Sequence, residues 1–152
     1  MQKIYEVVIA DTTCFILLDK IGELELLKSL FGNVLTTQII ADEFGSPLPD
    51  WIIVKEVENL YFQASLDIDK GEASAIALAI ESPPSLIVLD DDKARKKARK
   101  LNLNVTGTLG LLVKAKKKGI IPDVKSILDK IQNTNFHYSL AIVDEIMRLA
   151  NE

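Results

Sequence analysis

Short apolar runs and longer segments with helical spacing alternate along most of this chain. The runs are rich in Val, Ile and Leu, and they cover residues 4–10, 34–35, 52–57, 86–89 and 103–105. Uninterrupted runs of this kind are typical of strands buried on both faces, and alternation with helices over short connections favours parallel pairing. The pattern therefore predicts an α/β protein of three layers, α/β/α, in which helices cover both faces of a central, mostly parallel sheet.

The helical segments are bounded by glycine, proline and capping residues. They lie at about 15–19, 24–30, 38–44, 72–81, 92–101, 109–118, 123–132 and 139–149. The segment 72–81 is apolar nearly all round, which predicts a deeply packed helix. The run 52–57 includes Lys55 and Glu56, so we expect it at an edge of the sheet.

Carboxylates follow two of the apolar runs directly. Asp11 comes after the first run, and the triplet Asp90–Asp92 comes after the run 86–89. The carboxyl ends of parallel strands meet at one edge of a sheet, so these acids can converge although they are distant in sequence. Glu43 lies beside the apolar stripe of its helix, and Glu72 lies in the first turn of the most apolar helix. We expect both to join the same site.

Each acid also has an ordinary structural explanation. Asp11 and one member of the triplet can cap the helices that follow, Glu72 can stabilise a helix N-terminus, and Glu43 can point to water. Three or four convergent carboxylates repel one another, however, and such oxygen-rich sites typically hold Mg²⁺ or Mn²⁺. These ions support the attack of an activated water on a phosphodiester.

Composition removes several other kinds of chemistry. Cys14 is the only cysteine and His137 the only histidine among 152 residues, which leaves no disulfide framework, no zinc cage and no Ser-His-Asp or Cys-His catalysis. No apolar stretch approaches the roughly 18 residues of a membrane span, and the N-terminus is too polar for a signal peptide. We expect a cytoplasmic protein that does not bind membranes.

Charge is distributed unevenly along the chain. Residues 1–92 hold 17 Asp and Glu against 5 Lys, whereas residues 93–152 hold 13 Lys and Arg against 5 Asp and Glu. An acidic site beside a basic surface suits a metal-dependent reaction on a polyanion. The candidate substrate-binding cations are Arg95, Lys96, Arg99 and Lys117, for which simple solvation of helix faces is the alternative.

Five short strings in this order resemble the PIN-domain nuclease superfamily, and more narrowly its small prokaryotic branch related to the VapC toxins. They are Ala-Asp-Thr-Thr at 10–13, Asp-Glu-Phe at 42–44, Gly-Glu-Ala-Ser-Ala-Ile-Ala-Leu-Ala at 71–79, Leu-Asp-Asp-Asp-Lys-Ala-Arg at 89–95 and Val-Thr-Gly-Thr-Leu-Gly at 105–110. The resemblance covers about residues 6–149. Two positions depart from it: Thr13-Cys14 stands where the branch usually has Ser-Pro, and the third acid is Glu72 rather than Asp.

The resemblance implies a single PIN-like domain over residues 1–152 and a ribonuclease that uses Mg²⁺ or Mn²⁺. By position, Asp11, Glu43, Glu72 and Asp91 match the acidic quartet of the family, with Asp90 as a neighbouring metal ligand. Thr12 or Thr13 would supply a hydroxyl near the metal. The resemblance also implies an RNA substrate, a toxin role with an antitoxin partner, and a homodimer.

Two other functions remain open at this point. A protein of the same fold could bind RNA or a protein partner without cutting it. A phosphoryl-transfer enzyme with an aspartyl intermediate is the weaker alternative, because no phosphate-binding loop accompanies either acid cluster.

Residues 58–63, followed by Ala64, resemble the cleavage sequence of a plant-virus protease that is used to remove purification tags. The segment has no Gly/Ser linker and amphipathic flanks, which favours a native segment over an insertion. We expect its aromatic residues, Tyr61 and Phe62, to pack rather than to stack on bases.

Overall fold

A computed structural model of the chain describes residues 7–83 and 85–152, and it has the α/β architecture that the pattern predicts. The strands are β1 (Val7–Ala10), β2 (Val34–Thr36), β3 (Ile52–Val54), β4 (Ser85–Val88) and β5 (Asn104–Thr106). The helices are α1 (Thr12–Lys20), α2 (Glu25–Phe31), α3 (Gln38–Phe44), α4 (Leu60–Ser65), α5 (Lys70–Glu81), α6 (Asp92–Lys100), α7 (Thr108–Lys117), α8 (Lys125–Gln132) and α9 (Leu140–Leu149). Residues 4–6 of the expected first strand lie outside the described residues.

The five strands form one sheet in the order β3-β2-β1-β4-β5, and every pair is parallel. The order reverses at β1, since β2 lies on one side of it and β4 on the other. In open parallel sheets the crevice beyond the carboxyl ends of the strands at such a reversal is where ligands bind. Asp11 and Asp90–Asp92 follow the two strands that meet there.

The core forms where the apolar runs predict it. Strand β4 is buried along its whole length, and β1 is buried from Val8 to Ala10. Helix α5 is buried at nearly every position from Gly71 to Ala79, as its apolar composition requires. Cys14 is a buried free thiol and therefore a core residue.

The segment 52–57 differs in part from its prediction. The strand is at the edge, as expected, but it ends at Val54 because Lys55 and Glu56 are exposed.

Residues 60–65 form helix α4, which the hydrophobic pattern did not predict. The side chain of Asn59 accepts a hydrogen bond from the Phe62 N–H, and the Glu81 carboxylate accepts those of Glu58 and Asn59. The segment that resembles a protease site is thus tied to α5, which favours a native origin. The expectation that Tyr61 packs was wrong, since its side chain is 93% exposed. No helix in the described part of the chain has the length and apolar character needed to cross a membrane.

Candidate active site

A cleft of about 320 Å³ opens at the carboxyl ends of β1 and β4, and acidic side chains line most of it. Its walls come from the starts of α1, α5 and α6 and from the end of α3. The lining residues are Asp11, Thr12, Thr13, Glu43, Asp69, Glu72 and Asp91. The four carboxylates expected to form one site, which come from distant parts of the sequence, thus face the same space.

Asp11 is the most deeply placed of these acids. It is 3% exposed, it follows β1 directly, and its Oδ1 accepts the Cys14 N–H at 3.2 Å as the N-cap of α1. Burial raises the pKa of Asp11 to about 8; the charges of Asp90 and Glu72 act in the same direction, against the Cys14 N–H. A carboxylate at this position needs a compensating positive charge to remain ionised at neutral pH.

Glu43 reaches the cleft from the last turn of α3. The Thr12 hydroxyl donates a hydrogen bond of 2.7 Å to its Oε1, which fixes the carboxylate against the start of α1. The carboxylate also lies over Gly71, at a place that the Cβ of any other residue would occupy. Glycine at this position therefore leaves room for the Glu43 side chain.

Glu72 stands in the first turn of α5, next to the N-cap of the helix. The Asp69 side chain caps α5 by accepting the Gly71 N–H at 3.2 Å. Burial raises the pKa of Glu72 to about 7, and the charges of Asp91, Asp69 and Glu43 add to the effect. Glu72 therefore lies at a helix N-terminus, where a negative charge is stabilising, and it also lines the cleft.

The structure separates Asp91 from Asp90. Asp91 lines the cleft and caps α6, with its Oδ2 accepting the Ala94 N–H at 2.9 Å. Asp90 is turned towards α7, where it accepts the Thr108 N–H at 2.8 Å and the Thr108 hydroxyl at 2.6 Å. Asp90 does not line the cleft, because both of its oxygens serve the β5–α7 connection. Its charge still acts on Asp11.

Asp69 is the cleft residue that the sequence reasoning missed. The spacing Asp69-x-x-Glu72 is that of a capping box, which could have identified it. An N-cap aspartate three residues before a cleft glutamate lies on the same helix end, and here it adds a fifth carboxylate.

The expected substrate-binding residues are divided among several places. Thr12 and Thr13 line the cleft, whereas Arg95 and Arg99 line a neighbouring cavity. Lys96 pairs with Asp92 at 3.0 Å on the outer face of α6, and Lys117 is exposed at the end of α7. Neither lysine lines the cleft or the neighbouring cavity.

The residues of the cleft fit a divalent cation by their chemistry. All of the donors are hard oxygens, and none of the described residues that line the cleft carries a positive charge. Burial, together with the charges of neighbouring acids, raises the pKa of Asp11 and of Glu72, and a bound cation would favour their ionised forms. Within residues 7–83 and 85–152, no three acidic, His or Cys side chains are already gathered closely enough to hold an ion. Binding thus requires these side chains to turn inward.

Comparison with known families assigns nearly the whole chain to a family. The family model described as "DUF3368: PIN domain" matches residues 7–152, which include every acid of the cleft. No curated protein and no solved structure matches the chain.

Proposed function

Because the chain belongs to the PIN-domain family, whose members are generally nucleases that use divalent metal ions, we propose that it is an endoribonuclease dependent on Mg²⁺ or Mn²⁺. The observation that carries the proposal is the acidic cleft at the reversal of the sheet. Four carboxylates from four separate elements face it, and burial and mutual repulsion raise the pKa of two of them. Titratable groups with perturbed pKa values that converge in a cleft are typical of functional sites.

We assign Asp11, Glu43, Glu72 and Asp91 as the residues that would hold the ion. When bound, a divalent ion supplies an activated water nucleophile and neutralises charge on the phosphodiester. Asp11 and Asp91 are held by the helices they cap, so they form the rigid part of the site. Glu72 has a longer side chain that can adjust to the ion, whereas the Thr12 hydroxyl holds Glu43 in place.

The supporting residues act on the position of these acids. The Thr12 hydroxyl holds Glu43, and Asp69 caps the start of α5, which carries Glu72. Asp90 keeps the start of α7 beside the Asp91 segment through its two bonds to Thr108. We propose this positioning role for Asp90 in place of a metal-ligand role.

The biological role proposed for the nuclease is that of a toxin with an antitoxin partner, acting as a homodimer. Support for this part comes from the resemblance to the VapC-like branch. Induced expression of the wild-type chain should arrest growth, and the Asp91→Asn variant should not. Equal arrest by both would contradict the toxin role.

The test of the catalytic proposal is cleavage of labelled RNA by the purified chain with Mg²⁺ or Mn²⁺, and with a chelator. Asp11→Asn and Asp91→Asn should each abolish cleavage and leave the fold intact, because asparagine caps helices as well as aspartate does. Asp42→Asn is the matched control, since Asp42 neighbours Glu43 but is bonded to Gln38 outside the cleft. Cleavage by both cleft variants would refute the proposal, and RNA binding without cleavage by the wild type would favour a binding module.

A further inference from the structure

A second cavity of about 580 Å³ lies next to the acidic cleft, on the other side of the Asp90–Asp92 segment. It is enclosed by α6, the β5–α7 connection, α7 and α9. One wall is apolar and includes Leu109, Ile142 and Ile146, and Tyr138 lies beside this wall. Arg95 and Arg99, one turn apart on α6, form the polar wall. The volume lies within the range of small-ligand sites.

The Arg95 guanidinium is the unusual feature of this cavity. Its Nε is buried, and it has no hydrogen-bond partner within the described residues. Its Nη1 lies 3.0 Å from the position that a Cβ on Gly107 would take, so the glycine admits the side chain. A buried N–H without an acceptor is costly, and such groups in native proteins call for an explanation. A ligand that accepts a hydrogen bond from the Arg95 Nε–H would explain why this group is left without a protein partner in the described part of the chain.

The carboxylates that line this cavity are already occupied. Asp90 accepts two hydrogen bonds from Thr108, and Asp92 pairs with Lys96 at 3.0 Å. The charges of Arg95 and Arg99 act on Asp92, but within residues 7–83 and 85–152 neither guanidinium forms a hydrogen bond or a direct ion pair, and the buried Nε of Arg95 has no acceptor. Two guanidinium groups therefore line the cavity without a hydrogen-bonded partner among the described residues, and this group is the one that proteins favour for binding phosphate oxygens.

We propose that the second cavity is a nucleotide subsite, in which Arg95 and Arg99 bind a phosphate while Tyr138 and the apolar wall contact the base or the ribose. This inference rests on the proposed ribonuclease function and assigns a position for the nucleotide next to the scissile bond. Adjacent residues connect the two spaces, because Asp91 lines the cleft while Asp90 and Asp92 line the cavity. An RNA strand that crosses the cleft would place its neighbouring nucleotide here.

Fluorescence anisotropy with a labelled single-stranded RNA of about ten nucleotides tests the subsite in a chelating buffer, where no cleavage occurs. Arg95→Gln should weaken binding by about tenfold or more, because a charge-assisted bond to phosphate is lost. Lys97→Gln removes the same charge from α6 without touching the cavity, and it should change the affinity by about twofold at most. Arg99→Gln and Lys100→Gln form a second matched pair.

Two further variants separate recognition from general attraction. Arg95→Lys keeps the charge but loses the planar fork, so it should bind more weakly than the wild type and more tightly than Arg95→Gln. Tyr138→Phe should bind like the wild type, whereas Tyr138→Ala should lose affinity. Thermal unfolding of each variant shows whether it is folded. Equal losses for Arg95→Gln and Lys97→Gln would overturn the subsite and leave only a general basic surface.

Competition with small molecules identifies the ligand class. Adenosine 5′-monophosphate should displace the RNA at a lower concentration than inorganic phosphate, and Arg95→Gln should remove this difference. Equal displacement by the two would overturn the contact with base or ribose. If the wild type binds RNA through Arg95 but does not cleave it with Mn²⁺, the ribonuclease proposal fails and the subsite stands. If the wild type cleaves RNA but Arg95→Gln binds RNA as tightly as the wild type does, the subsite proposal is refuted and the ribonuclease proposal stands.

Discussion

Replacing Gly71 by alanine should separate the stability of the fold from the function of the cleft. Gly71 lies in the first turn of α5, and its backbone conformation is not of the left-handed kind that favours glycine. The new Cβ would overlap Oε1 of Glu43 and lie 3.2 Å from its Cδ and 3.4 Å from Oδ2 of Asp69. Only the end of a flexible side chain has to move, so the fold can accept the methyl group.

The substitution should affect stability and catalysis in opposite directions. Alanine is favoured over glycine inside a helix by up to about 1 kcal/mol, so the free energy of unfolding should stay unchanged or rise slightly. The Glu43 carboxylate must move by roughly 1 Å and lose its bond to Thr12, and a displacement of that size costs ~10²-fold in rate. Gly71→Ala should therefore give a stable protein that cleaves RNA about a hundred times more slowly.

The assay compares kcat for RNA cleavage with Mn²⁺ and the thermal midpoint of the metal-free protein, for Gly71→Ala and the wild type. Gly32→Ala is a useful contrast, because its φ of 77° makes alanine strained there, while Gly32 lies at the end of α2, does not line the cleft and would place its Cβ in open space. It should lower stability and leave kcat unchanged. Normal cleavage by a stable Gly71→Ala protein would refute the role given to the position of Glu43.

Two further predictions concern the aspartates of the cleft. The pKa of Asp11 is raised from its ordinary value of 3.8 to about 8 in the folded chain. Between these two pH values the folded state keeps a proton that the unfolded state releases, so the free energy of unfolding falls as the pH rises. Asp11→Asn should therefore stabilise the metal-free protein increasingly between pH ~4 and ~8, by up to a few kcal/mol, and a difference independent of pH in chemical denaturation would contradict this. Asp90→Ala should lose about 1–3 kcal/mol of stability, because its two bonds to Thr108 are structural, and it should lose less Mn²⁺ affinity than Asp91→Asn, because Asp90 acts on the site only through its charge on Asp11. Asp91→Asn should lose Mn²⁺ affinity with little change in stability. Calorimetric titration measures the affinity and thermal unfolding measures the stability; a larger loss of Mn²⁺ affinity in Asp90→Ala than in Asp91→Asn would contradict these roles.

Most of the fold could be predicted from the sequence because the strands are short, buried and uninterrupted. The runs that end at Ala10 and Val88 become the central parallel pair, and this pairing alone brings Asp11 to the Asp90–Asp92 segment. The convergence of the cleft acids thus follows from chain topology. Strand β3 and helix α5 follow from the same reasoning about polar and apolar positions.

The remaining features depend on contacts that no local pattern contains. Helix α4 has six residues and none of them is fully buried, although Phe62 packs partly against the core; its cap at Asn59 and the bonds to Glu81 also hold it. The three consecutive aspartates look equivalent in sequence, and only the two donors of Thr108, 18 residues away, turn Asp90 from the cleft. Asp69 was missed because a capping role is ordinary for an aspartate and does not by itself indicate a site.

The central claim is that Asp11, Glu43, Glu72 and Asp91 hold a divalent ion in the acidic cleft. Anomalous diffraction from crystals of the wild-type chain grown with Mn²⁺ tests it directly. The expected result is a peak within the cleft, with oxygens of Asp11 and at least two of the other three acids at roughly 2.0–2.3 Å from the ion. A well-ordered cleft without a peak at saturating Mn²⁺, or an ion held elsewhere on the chain, would contradict the claim.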